Sequence, residues 1–504
     1  MKTDGTQYRK NDIVTIEITD MDEKGQGIGK AEGFTLFVKD TVVGDRAEVK
    51  VMKTKKTYGF AKLQKILTPS PDRVAAACPI ARSCGGCQLQ EMSYEAELRF
   101  KENKVRNNLI RLGGFDEAFI DAIKEPVVGM EHPLRYRNKA QYPIGMSKDG
   151  KPVAGFYAGH THTIIPNTDC LLGREENEGI LQAVLAYMEE EKVSAYDEET
   201  GKGLLRHVLI REGFGTGEIM VCLIAAAKKL PGEDVLCNRL RKAQPRVASI
   251  CLNTNTKNTN VIMGDETRVL WGKETIEDIL GGIRFAISAR SFYQVNPVQT
   301  EKLYAKAVEY AALTGKESVW DLYCGIGTIS LFMAKKAGKV YGVEIIPEAI
   351  EDAKKNAAAN GITNAQFLVG KAEEVLPAFY ESKDVPSVAE VQSSLNASQE
   401  MKHPDVIVVD PPRKGCDEKC LETMLLMEPE RIVYVSCDSA TLARDLKILC
   451  REKYELKAWQ CYDQFCRTVH CETIVLIERV RNAKDFVRIG IDVEEYYRIK
   501  DEEN

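Results

Sequence analysis

Cys437 is the residue with the most chemistry to offer. It lies in Val435-Ser436-Cys437-Asp438-Ser439, directly after an apolar run, so it ends a strand at the edge of a sheet. A thiolate there can add to an electron-poor carbon and later leave it. Uracil is a substrate that needs such help: its C5 is too weak a nucleophile to take a methyl group unaided. Addition of a thiolate at C6 gives C5 carbanion character and splits one hard step into two easier ones. A base must then remove the C5 proton so that the thiol is eliminated. Glu472, in His470-Cys471-Glu472-Thr473 just before the apolar run 474–477, is the best candidate for that base. Taken singly, the two residues also fit a buried strand cysteine and a surface carboxylate.

Two further segments could hold a methyl donor. Asp321-Leu322-Tyr323-Cys324-Gly325-Ile326-Gly327-Thr328 closes an expected strand and opens a helix, and its glycines let the backbone approach a ligand closely. Ser330 stands where a dinucleotide site would carry a third glycine, which disfavours a pyrophosphate. Glu344 ends the next strand, where a carboxylate can accept both ribose hydroxyls of an adenosine ligand. Glycine turn plus strand-end acid is the pattern of class I S-adenosylmethionine methyltransferases. In Asp410-Pro411-Pro412-Arg413, two prolines stop the ladder and stiffen the loop, pinning the Asp410 carboxylate over the sheet edge. Elsewhere, Cys78-x5-Cys84-x2-Cys87 with Cys170 far downstream suits zinc or an iron–sulfur cluster, and spacing alone does not choose between them. Cys416 and Cys420, Cys466 and Cys471, and Cys324 read as packed small hydrophobes.

The elements that must position these groups fall into several units, as 504 residues exceed one core. Residues 1–67 read as a small β-barrel, with alternating runs at 13–18, 34–38 and 46–51 between glycine turns. Thr68-Pro69-Ser70-Pro71 reads as a linker. Residues 72–285 form a mixed α+β unit that opens on the cysteines and a helical stretch at 94–112. From 290 to 480 strands and helices alternate, with strands expected at 318–323, 339–344, 366–369, 406–410 and 432–436. That is an α/β doubly wound, mainly parallel sheet whose ligand belongs at the carboxyl ends of its strands. A polar insert follows at 381–402, and an acidic tail at 481–504. Net charge is −6, which argues mildly against nucleic acid, yet Lys50, Lys53, Lys55, Lys56, Lys62 and Lys65 cluster around Tyr58 and Phe60 without an acid among them. Arg135, Arg137 and Lys139 form a second basic cluster. The start of the chain has no apolar signal region and no run is long enough to span a bilayer, so a cytoplasmic protein with no membrane partner is expected. Fifteen cysteines in such a chain do not imply disulfides.

The segments around Asp410, Cys437 and Glu472 together resemble the RNA uracil-C5 methyltransferase family, whose members carry a DPPR loop, an S-C-N-P-x-T-L-A-R-D segment and an H-V-E-T segment. The resemblance runs from the first residues to about Arg479. It implies Cys437 as nucleophile, Glu472 as proton acceptor, and Gln294, Tyr323, Glu344 and Asp410 as contacts of S-adenosylmethionine. It also implies a [4Fe–4S] cluster on Cys78, Cys84, Cys87 and Cys170, as in members acting on large-subunit ribosomal RNA, and an N-terminal OB-like RNA-binding barrel of the TRAM type. The expected target is then a uridine of 23S ribosomal RNA, methylated by a monomer. Three departures bear on fine positioning: Asp438-Ser439 replaces Asn-Pro, Cys471 replaces Val, and Cys466-Arg467 stands where Pro-His is usual. The alternatives are a transfer RNA uracil-C5 methyltransferase, a non-catalytic RNA-binding iron–sulfur assembly factor, and, more remotely, a cytosine-C5 methyltransferase.

Overall fold

The computed structural model describes residues 8–159, 161–381 and 403–480. Most of the insert expected at 381–402 and all of the tail expected at 481–504 lie outside these residues. Among those described, no helix is long and apolar enough to cross a membrane.

Strands Ile13–Met21, Gly27–Ala31, Phe34–Val38, Tyr58–Thr68 and Arg46–Thr54 close into a barrel in that spatial order. Alternation builds it: Ile16, Ile18, Leu36, Val38, Val49 and Val51 point inward and are buried, while the lysines between them face water. Glycines in Gly27–Ala31 and the polar Lys62, Gln64, Lys65 and Thr68 in Tyr58–Thr68 hide those two strands from a period-of-two reading. The stretch at 68–71 is no loose linker. Ser70 N–H donates to the buried Asp45 carboxylate (2.9 Å), and the Arg73 guanidinium bonds Asp45 (2.6 Å), Glu91 (2.6 Å) and the Asp40 carbonyl (2.9 Å).

The cysteine-bearing segment leads into helix Tyr94–Arg111, capped by Ser93, whose hydroxyl accepts from Ala96 N–H. A seven-stranded sheet follows, running Glu266–Gly272, Val247–Thr254, Ile219–Ala225, Leu205–Glu212, Lys139–Met146, Pro152–Tyr157 and Ile164–Pro166. Only the pair Ile219–Ala225 and Val247–Thr254 is parallel.

The third unit carries the expected sheet. Five parallel strands lie in the order Ala365–Val369, Lys339–Glu344, Ser318–Leu322, Val406–Val409 and Arg431–Ser436, each within about a residue of its expected bounds. Their buried, β-branched runs are what a sheet covered on both faces requires, and separate cores fill the two faces. Chain direction around the sheet reverses between Ser318–Leu322 and Val406–Val409, so a crevice opens at the carboxyl ends of those two strands. Two antiparallel strands, Glu472–Arg479 and then Tyr454–Tyr462, extend the sheet beyond Arg431–Ser436.

Candidate active site

The antiparallel register sets Cys437 and Glu472, the candidate nucleophile and base. Ser436 pairs with Thr473 and Val435 with Ile474, so one step further along the ladder places Cys437 opposite Glu472. Cys437 is half-buried, at the carboxyl edge of the sheet. Asp438 turns the chain into helix Ser439–Leu449, accepting from Ala440 N–H (3.0 Å) and Thr441 N–H (3.1 Å). The aspartate at that position thus supplies an N-cap. Glu472 is 2% exposed and its Oε2 has no hydrogen-bond partner among the described residues. Asp410 follows strand Val406–Val409, which pairs with Arg431–Ser436 on its other side.

These groups feel one another. Burial, then the charges of Glu472 and Asp410, push the Cys437 thiol up to about 12, and Arg413 pulls the other way. Glu472 is held well above the usual carboxylate range, by burial first and Asp410 second, again opposed by Arg413. Asp410 is pushed up to about 7 by burial. The crevice therefore favours the neutral forms of these three groups, and Arg413 opposes this for Cys437 and Glu472.

The glycine turn forms the adjoining floor. Tyr323 has φ +66°, Gly325 +55° and Gly327 +80°, three left-handed residues within five positions. A β-carbon on Gly325 would meet nothing within 4 Å, so the backbone there faces open space. The Glu344 carboxylate accepts from Gly325 N–H (3.2 Å) and Ile346 N–H (3.0 Å), which fixes it beside the turn. Asp321 is fully buried and pushed up to about 7 by burial, despite the Ser330 hydroxyl donating to its Oδ2 (2.5 Å); its Oδ1 has no partner. An open backbone cradle ringed by Asp321, Glu344, Asp410 and Glu472 fits a cationic adenosine ligand such as S-adenosylmethionine.

Of the expected contacts, Cys437, Glu472 and Asp410 come together, and Glu344 joins the glycine turn. The Tyr323 ring leans toward Cys416 and Cys420, whose buried thiols pack as expected. Gln294 is placed through its backbone: Asn138 of the central sheet donates from Nδ2 to the Gln294 carbonyl (2.9 Å) and from N–H to the Val295 carbonyl (2.9 Å). The buried Arg211 guanidinium bonds the Ser291 carbonyl in the same segment. Sequence reading missed Asn138, Arg211 and Tyr304. The Tyr304 hydroxyl meets Thr328 Oγ1 (3.2 Å) and lies in the field of Asp410, Asp321 and Glu472. Nothing local marks these three, since their partners lie at least 24 residues away.

Cys78, Cys84, Cys87 and Cys170 are free, half-buried thiols. Cys78, Cys84 and Cys87 are each raised by burial first and then by the charge of Cys170, so the distant cysteine is drawn to the other three. Gly86 N–H donates to Cys84 Sγ (3.4 Å), and Gly85 N–H to the Tyr157 carbonyl (2.9 Å). Electrostatic influence reaches further than coordination: among the described residues no three potential ligands stand close enough to hold a metal ion. The donor types fit a thiolate-ligated group. Arg135, from the second basic cluster, is taken up by Asp169 (2.6 Å) and the Cys170 and Gly173 carbonyls.

Comparison with known proteins gives the same outline. Residues 244–480 match the tRNA (Uracil-5-)-methyltransferase family and residues 8–63 the TRAM domain. An uncharacterized RNA methyltransferase of Halalkalibacterium halodurans is 50% identical over 93% of this chain and 97% of its own. One from Listeria monocytogenes is 44% identical over 93% of this chain and 98% of its own. The crystal structure of Pyrococcus abyssi tRNA (uracil-54, C5)-methyltransferase in complex with S-adenosyl-L-homocysteine superposes with a TM-score of 0.71 at 27% identity. That match covers 92% of this chain and all of that one (100%).

Proposed function

The chain belongs to the tRNA (uracil-5-)-methyltransferase family and is an S-adenosylmethionine-dependent RNA methyltransferase, and on that premise we propose that it methylates C5 of a uridine in 23S ribosomal RNA through Cys437 and Glu472. The observation that carries the mechanism is the register that sets residue 437 opposite residue 472 at the mouth of the crevice. Bound in the cradle of Gly325 and Glu344, S-adenosylmethionine supplies an electrophilic methyl group on a sulfonium. The Cys437 thiolate adds to C6 of the uracil, and the ring electrons shift to give a carbanion at C5. C5 takes the methyl, forming the new carbon–carbon bond as the S–CH3 bond breaks and the sulfonium leaves as the neutral thioether S-adenosylhomocysteine. Glu472, unpaired at Oε2, removes the C5 proton; the C5=C6 bond re-forms and the C6–S bond breaks, returning the thiolate. Arg413, the cation that acts on both groups, holds the thiol and the carboxyl toward their charged forms.

Support for the RNA comes from the barrel. Phe37, Tyr58 and Phe60 form a trio of rings with centroids 5.7 Å apart, on neighbouring strands flanked by exposed lysines, a stacking platform for single-stranded bases. The cysteine tetrad favours 23S ribosomal RNA as target, and on this reading Cys78, Cys84, Cys87 and Cys170 hold a [4Fe–4S] cluster that shapes the RNA-docking side without taking part in methyl transfer. The enzyme would work in the cytoplasm, where that RNA is. A transfer RNA target is the second reading, favoured by the likeness to the Pyrococcus abyssi enzyme. Mass spectrometry of 23S and transfer RNA from cells with and without the protein decides: 5-methyluridine is expected to disappear from one 23S fragment, whereas loss from transfer RNA alone selects the second reading. Protein purified without oxygen is expected to be brown, with about four irons and four sulfides per chain; a colourless zinc protein would remove the cluster.

A further inference from the structure

Between strand Tyr454–Tyr462 and Glu472 the chain has no regular structure, yet its backbone carbonyls are taken up one after another by other parts of the molecule. The Asp463 carbonyl accepts from Gln299 Nε2 (3.3 Å), Gln464 from Asn296 Nδ2 (3.2 Å), and Phe465 from Lys101 Nζ (3.2 Å). The Cys466 carbonyl accepts from the Tyr136 hydroxyl (3.1 Å), and Val469 from Lys104 Nζ (3.2 Å). The Arg467 carbonyl accepts from the Gln88 and Leu89 N–H groups (3.1 Å each), directly after Cys87. The nine-residue approach to Glu472, residues 463–471, is thereby held in one conformation.

One face of helix Tyr94–Arg111 supplies two of these contacts, from Lys101 and Lys104, and adds side-chain bonds to the same loop. Tyr94, Glu97, Lys101, Lys104 and Asn108 recur at three- and four-residue spacing and so form a single stripe. Lys101 is its pivot. It is fully buried, and its three donors go to Glu97 (2.7 Å), Asp463 (2.5 Å) and the Phe465 carbonyl. Tyr94 also bonds Asp463 (2.6 Å), and Glu97 accepts from Arg467 N–H (2.6 Å). At the far end, Asn108 Nδ2 donates to Ser439 Oγ (2.9 Å), two residues past Cys437. A buried ion-pair network of this kind is often replaceable by apolar side chains without loss of stability. What it does here is aim the loop.

We propose that Lys101 is a positioning residue for proton removal: through Asp463 and the Phe465 carbonyl it fixes the loop that delivers Glu472 to the uracil C5 proton, while Asn108 at the other end of the stripe steadies the Cys437 turn. This rests on the reading that Cys437 adds to C6 and Glu472 takes the C5 proton. The stripe therefore acts on two separable steps, one at each end.

Transcripts of 23S ribosomal and transfer RNA made with uridine or with 5-fluorouridine separate them. With fluorine at C5 there is no proton to remove, so addition and methyl transfer leave the protein covalently joined to the RNA. Lys101→Met, and the all-neutral Glu97→Gln/Lys101→Met/Asp463→Asn in case the single variant does not fold, are expected to lower turnover on uridine RNA roughly ten- to a hundred-fold, the scale of a misplaced catalytic group. Their rate of adduct formation on fluorouridine RNA is expected to stay within about two-fold of wild type on the same scale. Asn108→Ala is expected to slow adduct formation itself. Equal slowing of both reactions by the Lys101 variants, or unchanged turnover, overturns the proposal. Wild-type protein that makes 5-methyluridine yet never forms the fluorouridine adduct overturns instead the nucleophile reading beneath it.

Discussion

Four carboxylates and one thiol lie at the carboxyl ends of the sheet and act on one another electrostatically, with Arg413 as the opposing cation for Cys437 and Glu472. Asp321 and Asp410 are pushed up to about 7 in the folded protein. In the unfolded chain an aspartate titrates near 4. Between those values the native state keeps protons that the unfolded state has lost, so the ligand-free protein loses stability as pH rises from about 4 to about 7. A cation entering the crevice reverses the shift and expels those protons. Affinity for S-adenosylmethionine is thus expected to increase from about pH 5.5 to about pH 8, with proton release visible as a buffer-dependent enthalpy in calorimetry. An affinity that stays flat over that range would remove the acidic crevice as the donor site. At the same scale, Cys437→Ala should abolish 5-methyluridine formation while donor binding survives. Glu472→Gln should accumulate a covalent protein–RNA band on a denaturing gel, since addition and transfer proceed and proton removal does not. Methylation at the wild-type rate by the alanine variant would refute the nucleophile.

At the scale of elements, the glycine turn makes two distinguishable predictions. Gly325→Ala puts a methyl group into open space at a φ of +55°, so it should cost only about 1 kcal/mol of stability, yet weaken donor binding at least about ten-fold by filling the cradle. Gly327→Ala instead drives its β-carbon to 3.0 Å from Phe367 and 3.1 Å from the Ala353 β-carbon, so it should lower the melting temperature more than Gly325→Ala does. Thermal melts with and without donor separate the two. The five parallel strands were legible because each is a short, mostly apolar run, and four of them end at or just before Glu344, Gly370, Asp410 or Cys437. Strand Tyr454–Tyr462 was not singled out, although Glu455 and Lys457 alternate with apolar residues, since its pairing partner, Glu472–Arg479, comes later in the chain. Helix Tyr94–Arg111 could be read from its composition, but nothing in the sequence tells that Glu97 and Lys101, an ordinary-looking surface pair, lie buried against residue 463. Side chains that act through partners hundreds of positions away leave no local trace. Cys437, Glu472, Asp410 and Glu344 were visible because each stands where a strand begins or ends.

For the whole molecule, charge is divided unevenly: the chain is net acidic, while the barrel presents lysines around its aromatic trio. RNA affinity should therefore fall steeply with salt, and donor affinity hardly at all. Tyr58→Ala and Phe60→Ala should each weaken RNA binding by about 1–3 kcal/mol and leave donor affinity and melting temperature near wild type; filter binding across a salt series tests this, and equal affinity in the variants would take the barrel out of the interface. The junction between barrel and cysteine segment adds a constraint. Arg73 rivets Asp45 of the barrel to Glu91, and the residues just before Glu91 hydrogen-bond Arg467 on the approach to the base. The proposed stacking platform and the proposed reacting pair are thus parts of one stiff gauge. Such a gauge recognises a span as well as bases: the nucleotides it grips must lie a set distance from the uridine it modifies, and inserting even one unpaired nucleotide between them should carry the target out of reach.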